Sequence, residues 1–420
     1  MKGLEFWHKL AEEAPEQLHR YTLDWQRQER FGDQAVKKWE EIEPGSIKTV
    51  LNAYARAIPW ISQKKKLSSK DFKTIQNICA SHHPGVFVRG EFRVFQTYFY
   101  VTNQNATEAG TLYFINQYRT EMEPGFAKAK RISPSLTYTE FAEKEQHPSL
   151  ETWFTYLKEK QLLIFHAFSG DLTEEETSFI NEIGYLVYPG ILTGFFSKYP
   201  DLKQTFYQTN KKEPFLNRVL NSQDVNFSEL IQSYITYWDT DNFLDKKNVK
   251  RFNALIDKLH HAIEEDISTI LDQCYKQLNA DNLHDDEKLY IIADTIRRLE
   301  QMHPFQDMNC RTFCMVFLNV LLIQNDFLPA LIDDPNKFDG YDTHSLVQVI
   351  KEGIERSEIL NHYITPKDTH RTLSIFSNPQ EGPEWCHVPE HQKKDLAEMA
   401  GNLTETLYND KNPPTCCPIS

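Results

Sequence analysis

The sequence predicts a mainly α-helical protein with one small β-hairpin, and three observations support this fold class. Apolar side chains recur at steps of three and four residues through much of the chain, which is the pattern of amphipathic helices. The stretch 90–118 is instead rich in β-branched and aromatic side chains and contains a polar turn, which is typical of two paired strands. The chain has 420 residues, of which 40% are hydrophobic, so two or three globular domains are expected.

Residues 1–62 predict helices whose apolar faces carry large side chains, namely Trp7, Leu10, Trp25, Phe31 and Trp39. Residues 71–80 predict a further helix. The strands of the hairpin are predicted over 90–101 and 111–118, on either side of the polar turn.

Helices are also predicted for the middle of the chain, for 249–278 and for the segment that ends at His303. These patterns divide the chain into five predicted regions: an N-terminal helical region (1–62), a helix plus the hairpin (63–125), a helical insertion or middle domain (126–245), a second helical region (246–375) and a C-terminal region (376–420).

Composition narrows the possible functions. The formal net charge of −14 argues against a nucleic-acid partner. The N-terminus lacks the apolar core of a signal peptide, and the longest apolar run, 315–323, is far shorter than a membrane span. The seven cysteines show no metal-type CxxC spacing and are typical of a reducing compartment. We therefore expect a soluble protein, which would be cytoplasmic in the absence of a membrane anchor.

The candidate site is the stretch 303–311, which lies between two predicted helices. His303 belongs to a residue type that titrates near neutrality and is suited to accept a proton from a hydroxyl. Asp307 is a hard oxygen ligand suited to Mg²⁺. Asn309 and Arg311 add side-chain donors at the start of the next helix, where unpaired N–H groups also attract phosphate. The arrangement is typical of a phosphate-handling site.

At these residues the sequence resembles the Fic family, whose signature His-Pro-Phe-x-(Asp/Glu)-Gly-Asn-Gly-(Lys/Arg)-x-x-Arg lies on a loop between two helices. Most members transfer a nucleoside monophosphate from a nucleoside triphosphate to a protein hydroxyl, and some transfer phosphate or phosphocholine. The resemblance implies His303 as the general base and Asp307 as the Mg²⁺ ligand. It also implies that Asn309, Cys310 and Arg311 contact the phosphates of the nucleotide, and that residues 246–375 form a Fic-type catalytic core.

The sequence departs from the Fic signature at three positions. Met308 and Cys310 replace the two glycines, and Cys314 replaces the second arginine. A side chain forced into the left-handed region costs about 1–2 kcal/mol, so we expect a loop of somewhat different shape. The missing arginine weakens the case for ATP and leaves two alternatives: a diphosphate-linked donor such as a CDP compound, or a protein without activity.

Residues 90–93 resemble the Gly-x-x-Arg start of the Fic flap, a hairpin that aligns the target chain beside the active site. An exposed strand edge binds an extended peptide through backbone hydrogen bonds. An ordinary small sheet is the alternative interpretation, and the sequence leaves both open.

The last four residues, Cys417 to Ser420, match the C-a-a-X prenylation motif, and a terminal serine favours farnesyl. Stable membrane anchoring requires a second signal, which palmitoylation of Cys416 would supply. Prenylation is eukaryotic chemistry. A Fic-type protein with this tail resembles a bacterial effector that is delivered into a eukaryotic cell and associates with a host membrane there. A eukaryotic origin is the alternative.

The sequence thus predicts a Fic-type transferase. It would move a nucleoside monophosphate, or a related phosphate-containing group, to a Ser, Thr or Tyr hydroxyl of a target protein. The donor would be ATP, another nucleoside triphosphate or a CDP-linked compound, with Mg²⁺. The alternative is a catalytically inactive Fic-fold binding module tethered to a membrane.

Overall fold

The computed structural model describes residues 2–82, 89–93, 97–101, 103–117, 133, 135–145, 163–167, 176, 246–364 and 383–411. The α-helices in these parts of the chain are α1 (Lys2–Glu13), α2 (Trp25–Phe31), α3 (Ala35–Ile42), α4 (Ser46–Ser62), α5 (Ser69–Ala80), α6 (Glu108–Gln117), α7 (Tyr138–Glu145), α8 (Lys246–Leu278), α9 (Asp285–Met302), α10 (Leu318–Gln324), α11 (Lys337–Gly340), α12 (Thr343–Ile364), α13 (Glu390–Met399) and α14 (Gly401–Lys411). The strands are β1 (Thr97–Val101) and β2 (Leu163–Ala167). A π-helix, Arg311–Phe317, precedes α10, and 3₁₀ turns span Pro15–Thr22, Gly32–Gln34, Asn103–Asn105 and Glu384–Cys386.

The chain divides into two compact units, each assembled from separated segments. Unit 1 comprises Met1–Leu67, Gln273–Arg298 and Cys310–Ser420. Unit 2 comprises Ser68–Asp272 and Leu299–Asn309.

The core of unit 1 is organised around α4, in which twelve of the 17 residues are buried. Buried positions fall all round this helix, as expected for a helix surrounded by others. The C-terminal helix α14 packs along both α1 and α4. His8 on α1 lies 3.1 Å from the carboxylate of Asp410 on α14, so the two ends of the described chain meet in one core.

A buried polar network fixes the turn after α10. The Asn319 side-chain amide donates to the Tyr54 hydroxyl at 3.0 Å, and its oxygen accepts from the Ala330 N–H at 2.6 Å. The Tyr54 hydroxyl in turn donates to the carbonyl of Met315 at 2.9 Å. Because a buried polar group is costly unless it is hydrogen-bonded, this network specifies one arrangement of the turn.

Unit 2 is built on α5 and on residues 246–272 of α8. The side chain of Asp71 accepts from the backbone N–H of Ser68 at 3.0 Å, and the reciprocal bond completes a capping box at the start of α5. The hydroxyl of Ser69 donates to Glu264 of α8 at 2.7 Å. The strands β1 and β2 pair antiparallel in the same unit.

The prediction of a mainly α-helical protein is confirmed by the order of elements. Helices occupy most of residues 2–62, and α5, α8 and α9 lie where helices were predicted. Most of the predicted middle region, 126–245, lies outside the described residues. Among the described residues, no helix is both long enough and apolar enough to cross a membrane.

The predicted hairpin is wrong in its second strand. Residues Glu108–Gln117 form α6, and β1 pairs with β2 instead. Local capping explains the difference: the Gly110 N–H donates to the Thr107 hydroxyl at 3.0 Å, and Glu108 lies in the first turn, where the helix dipole favours a carboxylate. These signals at the helix start outweigh the strand preference of the aromatic side chains that follow.

Replacing Gly353 by alanine is expected to destabilise unit 1. A Cβ at this position of α12 would lie 2.9 Å from the Cβ of Ala330 and 3.0 Å from the Leu331 carbonyl oxygen. Overpacking costs about 1–3 kcal/mol, while the gain in helix propensity is about 1 kcal/mol, so we expect a lower melting temperature. Gly401→Ala is the matched control because a Cβ there meets nothing within 4 Å. Equal melting temperatures for the two variants would contradict the close packing around Gly353.

Candidate active site

The loop that follows α9 has an uncommon backbone conformation. His303 has φ +43° and Met308 has φ +67°, in the left-handed region that residues with a Cβ rarely adopt. Met308 stands where the motif has its first glycine, so the backbone keeps a conformation that glycine favours. The Met308 side chain is only 3% exposed, and burial of a methionine contributes about 1.5–3 kcal/mol, which offsets a strain of about 1–2 kcal/mol.

Asn309 holds this loop in shape. Its side-chain oxygen accepts from the Phe305 N–H at 3.0 Å, and its side-chain amide donates to the Phe305 carbonyl at 3.0 Å. Both residues are buried. The amide predicted to contact phosphate therefore satisfies both backbone groups of one loop residue, which is a structural role.

His303 lies in a buried position at the start of the loop, with 8% of its surface exposed. Its Nε2 is 3.9 Å from a carboxylate oxygen of Glu300, whose side chain is also buried. Burial lowers the pKa of His303 to about 3, and the charge of Arg93 lowers it further, although a backbone hydrogen bond at Glu300 acts in the opposite direction. The imidazole is therefore neutral at physiological pH, unlike the near-neutral titration expected from the residue type.

Asp307 is the exposed residue of the loop. One of its carboxylate oxygens accepts from the Met308 N–H at 2.6 Å, which orients the carboxylate. An accessible carboxylate of this kind fits Mg²⁺, which is bound in many proteins by one or two carboxylates together with water and substrate oxygens. Asp307 is thus the residue of the loop that could hold the ion.

A buried glutamine of α5 connects the loop to residues 90–93. The side-chain oxygen of Gln76 accepts from the Gly90 N–H at 2.6 Å, and its amide donates to the Asp307 carbonyl at 3.3 Å. Gln76 is fully buried. Gly90 has φ +67°, and a Cβ there would lie 3.1 Å from the Cβ of Asn77, so glycine suits both the turn and the close packing.

Residues 90–93 also contact the loop directly. The Arg93 N–H donates to the Pro304 carbonyl at 2.9 Å, and the rings of Phe92 and Phe305 lie 5.6 Å apart. Arg93 is buried, and burial lowers the pKa of its guanidinium to about 10, so the group stays charged at neutral pH. Within unit 2 the structure thus brings the Gly-x-x-Arg segment against the candidate loop, beside a buried positive charge.

Cys310 and Arg311 belong to unit 1. Arg311 forms an ion pair with Glu43, and its guanidinium lies 5.4 Å from the ring centroid of Trp39. Cys310 is partly exposed and has ordinary helical angles, φ −56° and ψ −44°. The π-helix that begins at Arg311 is a conformation found often at functional sites. The predicted phosphate contact Arg311 is therefore already bound to a carboxylate.

The predicted lipidation residues Cys416 and Cys417 lie outside the described residues. Of the other predicted site residues, unit 2 brings His303, Asp307 and Asn309 into one loop, and unit 1 contains Cys310 and Arg311.

Sequence reasoning missed two residues that shape this site. Gln76 gave a weak signal, because it is a polar side chain on the face of α5 that also carries the buried Phe72 and Ile75. Glu43 gave no signal in the sequence, because a single acidic residue near the end of a helix is common in proteins and indicates no particular role.

Comparison with known proteins gives one informative similarity. No protein-family model matches the chain. Over 69 residues the chain is 51% identical to the phosphocholine transferase AnkX of Legionella pneumophila. The match covers 16% of this chain and 7% of the length of AnkX. Over this short stretch, the chain is similar to a bacterial enzyme that transfers a phosphate-containing group.

Proposed function

We propose that this protein is a Fic-type transferase that moves phosphocholine, or a related phosphate-containing group, from a nucleotide-linked donor to a hydroxyl of a target protein. The similarity to a phosphocholine transferase is the observation that carries the proposal. The loop 303–309 supports it, since a neutral histidine and an exposed carboxylate lie on one short segment. The absence of the second motif arginine favours a diphosphate-linked donor over a triphosphate.

The proposed reaction is a displacement at phosphorus. A Ser, Thr or Tyr hydroxyl of the target attacks the phosphorus that bears choline, and the bond from that phosphorus to the oxygen of the nucleoside monophosphate breaks. With a CDP-linked donor the leaving group is CMP. His303 accepts the hydroxyl proton at a ring nitrogen. The motif resemblance implies that Arg311 donates to a phosphate oxygen, a contact that would stabilise the developing charge.

Donor binding changes the environment of His303. An imidazole whose pKa is about 3 is a weak base in the free protein. Phosphate oxygens placed beside it favour the protonated form and raise its pKa, so the base becomes stronger when the donor is bound. A magnesium ion held by Asp307 would supply charge neutralisation on the phosphate oxygens.

The test is a panel of donors. The protein is incubated with eukaryotic lysate, Mg²⁺ and one of ATP, GTP, UTP or CDP-choline, and the target proteins are analysed by intact mass. We expect the mass of one phosphocholine to be added with CDP-choline. If a nucleoside monophosphate is added from ATP, GTP or UTP instead, the protein is still a Fic-type transferase, but its donor is a nucleoside triphosphate. No adduct with any donor would overturn the proposal.

A second candidate function is an inactive binding module, and two observations favour it. The side chain of Asn309 is occupied by Phe305, and Arg311 is paired with Glu43. In a module of this kind the loop would be a structural element only. It would give no adduct in the donor panel and no heat of nucleotide binding in calorimetry.

We also propose a host membrane as the site of action, through a farnesyl group on Cys417 and a palmitoyl group on Cys416. The support is the C-terminal sequence alone. Expression in eukaryotic cells with a labelled isoprenoid tests it. Serine in place of Cys417 is expected to abolish labelling and to move the protein out of the membrane fraction.

Replacing Glu43 by glutamine is expected to strengthen donor binding. The Glu43–Arg311 pair is largely buried, with side-chain exposures of 21% and 13%, and a phosphate must displace this carboxylate to reach the arginine. Removing one charge of a pair worth about 1 kcal/mol should lower the KM for the donor about threefold to tenfold. Glu41→Gln, at an exposed position of α3 two residues before Glu43, is the control and should leave the KM unchanged. An unaltered KM in Glu43→Gln would show that Arg311 does not contact the donor.

A further inference from the structure

Unit 1 contains a cavity of about 400 Å³. Its walls come from the 3₁₀ turn Pro15–Thr22, from α2 and from the segment that leads into α13. This volume lies within the range of small-molecule pockets, about 300–1,000 Å³. No residue of the loop 303–311 lines it, so its chemistry is independent of the proposed transferase site.

The most informative residue of the cavity is Arg20, which is 6% exposed. Its guanidinium donates only to neutral oxygens: to the side chain of Gln17 at 2.5 Å, to that of Gln28 at 3.4 Å and to the His387 carbonyl at 3.3 Å. Among the described residues, no carboxylate lies within ion-pair distance of it. Burial lowers the pKa of Arg20 to about 10, which leaves it charged at neutral pH.

A buried charge without an ion-paired partner is costly. The carboxylates of Asp33 and Glu16 favour the charged form of Arg20, but neither lies within ion-pair distance of it. The neighbouring amides partly replace water, but they do not neutralise the guanidinium. An anionic group in the cavity would do so, with the bidentate geometry that arginine offers to carboxylate and phosphate.

Two tryptophans form an aromatic wall of the same cavity. The rings of Trp25 and Trp385 are 4.6 Å apart and nearly perpendicular, and the Arg20 guanidinium lies 5.6 Å from the Trp385 ring centroid. The Arg356 guanidinium lies 5.2 Å from the Trp25 ring centroid, so each indole already has a guanidinium near one face. The faces of indole rings attract cations, including quaternary ammonium groups.

Acidic residues line the exposed side of the cavity. Glu29 and Asp33 both border it and are exposed, whereas Arg20 is buried. Two histidines, His19 and His387, also line the cavity. Burial lowers the pKa of His19 to about 3, so it carries no charge at neutral pH. The cavity is therefore positive at its buried end and negative at its exposed end.

We propose that this cavity is a second ligand site that binds a small zwitterion. The anionic group of the ligand accepts hydrogen bonds from Arg20. Its cationic group lies against the indole rings of Trp25 and Trp385, on the side of Glu29 and Asp33. A simple anion would be repelled by the acidic side, and a simple cation would be repelled by the arginine.

The test uses one zwitterion and its two halves as probes: carnitine, choline for the cation and 3-hydroxybutyrate for the anion. Binding to the full chain is measured by calorimetry and by saturation-transfer NMR. We expect saturable binding of carnitine, and binding of each half at least about tenfold weaker, because each lacks one charge-assisted contact.

Variants assign the two ends of the site. Arg20→Gln is expected to weaken carnitine binding about tenfold or more. The double variant Glu29→Gln, Asp33→Asn should weaken carnitine and strengthen 3-hydroxybutyrate, and it lies at exposed positions, so it stays informative if Arg20→Gln fails to fold. Glu41→Gln is the charge-matched control outside the cavity.

Three results would overturn the proposal: no saturable binding of any probe, equal affinities for the three probes, or carnitine binding that the double variant leaves unchanged. None of these depends on transfer activity, so a failed donor panel and a failed zwitterion site are separate outcomes.

Discussion

Replacing His303 by alanine is expected to reduce transfer to the target about a hundredfold to ten-thousandfold, the usual contribution of a general base. The expectation follows from the neutral state of the imidazole and from its place at the start of the loop. The rate is measured by intact mass of the modified target with saturating donor and Mg²⁺. His261→Ala is the matched control, since this histidine of α8 has a side chain that is 74% exposed.

The backbone at His303 requires a second variant. Its φ of +43° suits asparagine better than alanine, because asparagine tolerates the left-handed region. His303→Asn should therefore retain the loop and the melting temperature while it removes the base. If His303→Asn transfers as fast as the parent protein, His303 is not the base, and the loop has only a structural role.

The helices around this loop were predictable because their signals are local. The periodicity of Leu289, Ile292, Ile296 and Leu299 defines the buried face of α9, and all four side chains are buried. The loop that follows could also be identified from the sequence, because a base, a carboxylate, an amide and a guanidinium lie within nine residues. What these side chains contact was not predictable. Gln76 and residues 90–93 are far from the loop in sequence, and no local pattern specifies which distant segment packs against it.

The second strand of the predicted hairpin was wrong for a related physical reason. Strand propensity reflects how side chains fit a half-buried sheet, and it varies with context. In this chain the Thr107 hydroxyl accepts a hydrogen bond from the Gly110 N–H, and this local cap favours a helix, α6, in the residues that follow. The partner of β1 is instead β2, which lies beyond α6 and α7 in sequence. The choice between these pairings depends on tertiary packing, which a local pattern does not report.

Asn309 holds the loop through its two hydrogen bonds to Phe305, and the phosphate contact that the motif resemblance implies for it stays a prediction. Replacing it by alanine would leave the N–H and the carbonyl of Phe305 without their partner, and Phe305 is fully buried. Each unsatisfied buried group costs about 1–3 kcal/mol, so we expect a loss of about 2–5 kcal/mol in the free energy of unfolding, together with a loss of transfer. Denaturant unfolding measures the first quantity, and Asn77→Ala, an exposed asparagine of α5, is the control.

An aspartate at the same position separates the structural role from a phosphate contact. In Asn309→Asp the ionised carboxylate accepts from the Phe305 N–H but repels the Phe305 carbonyl. When protonated, it restores both hydrogen bonds, because it then has a donor and an acceptor. Burial raises the pKa of such a carboxyl in the folded protein above its unfolded value, so the stability deficit relative to the parent should shrink as the pH falls. A deficit in Asn309→Asp that does not change with pH would contradict the two hydrogen bonds to Phe305. An Asn309→Ala variant with parental stability and only a raised KM for the donor would instead identify Asn309 as a phosphate contact.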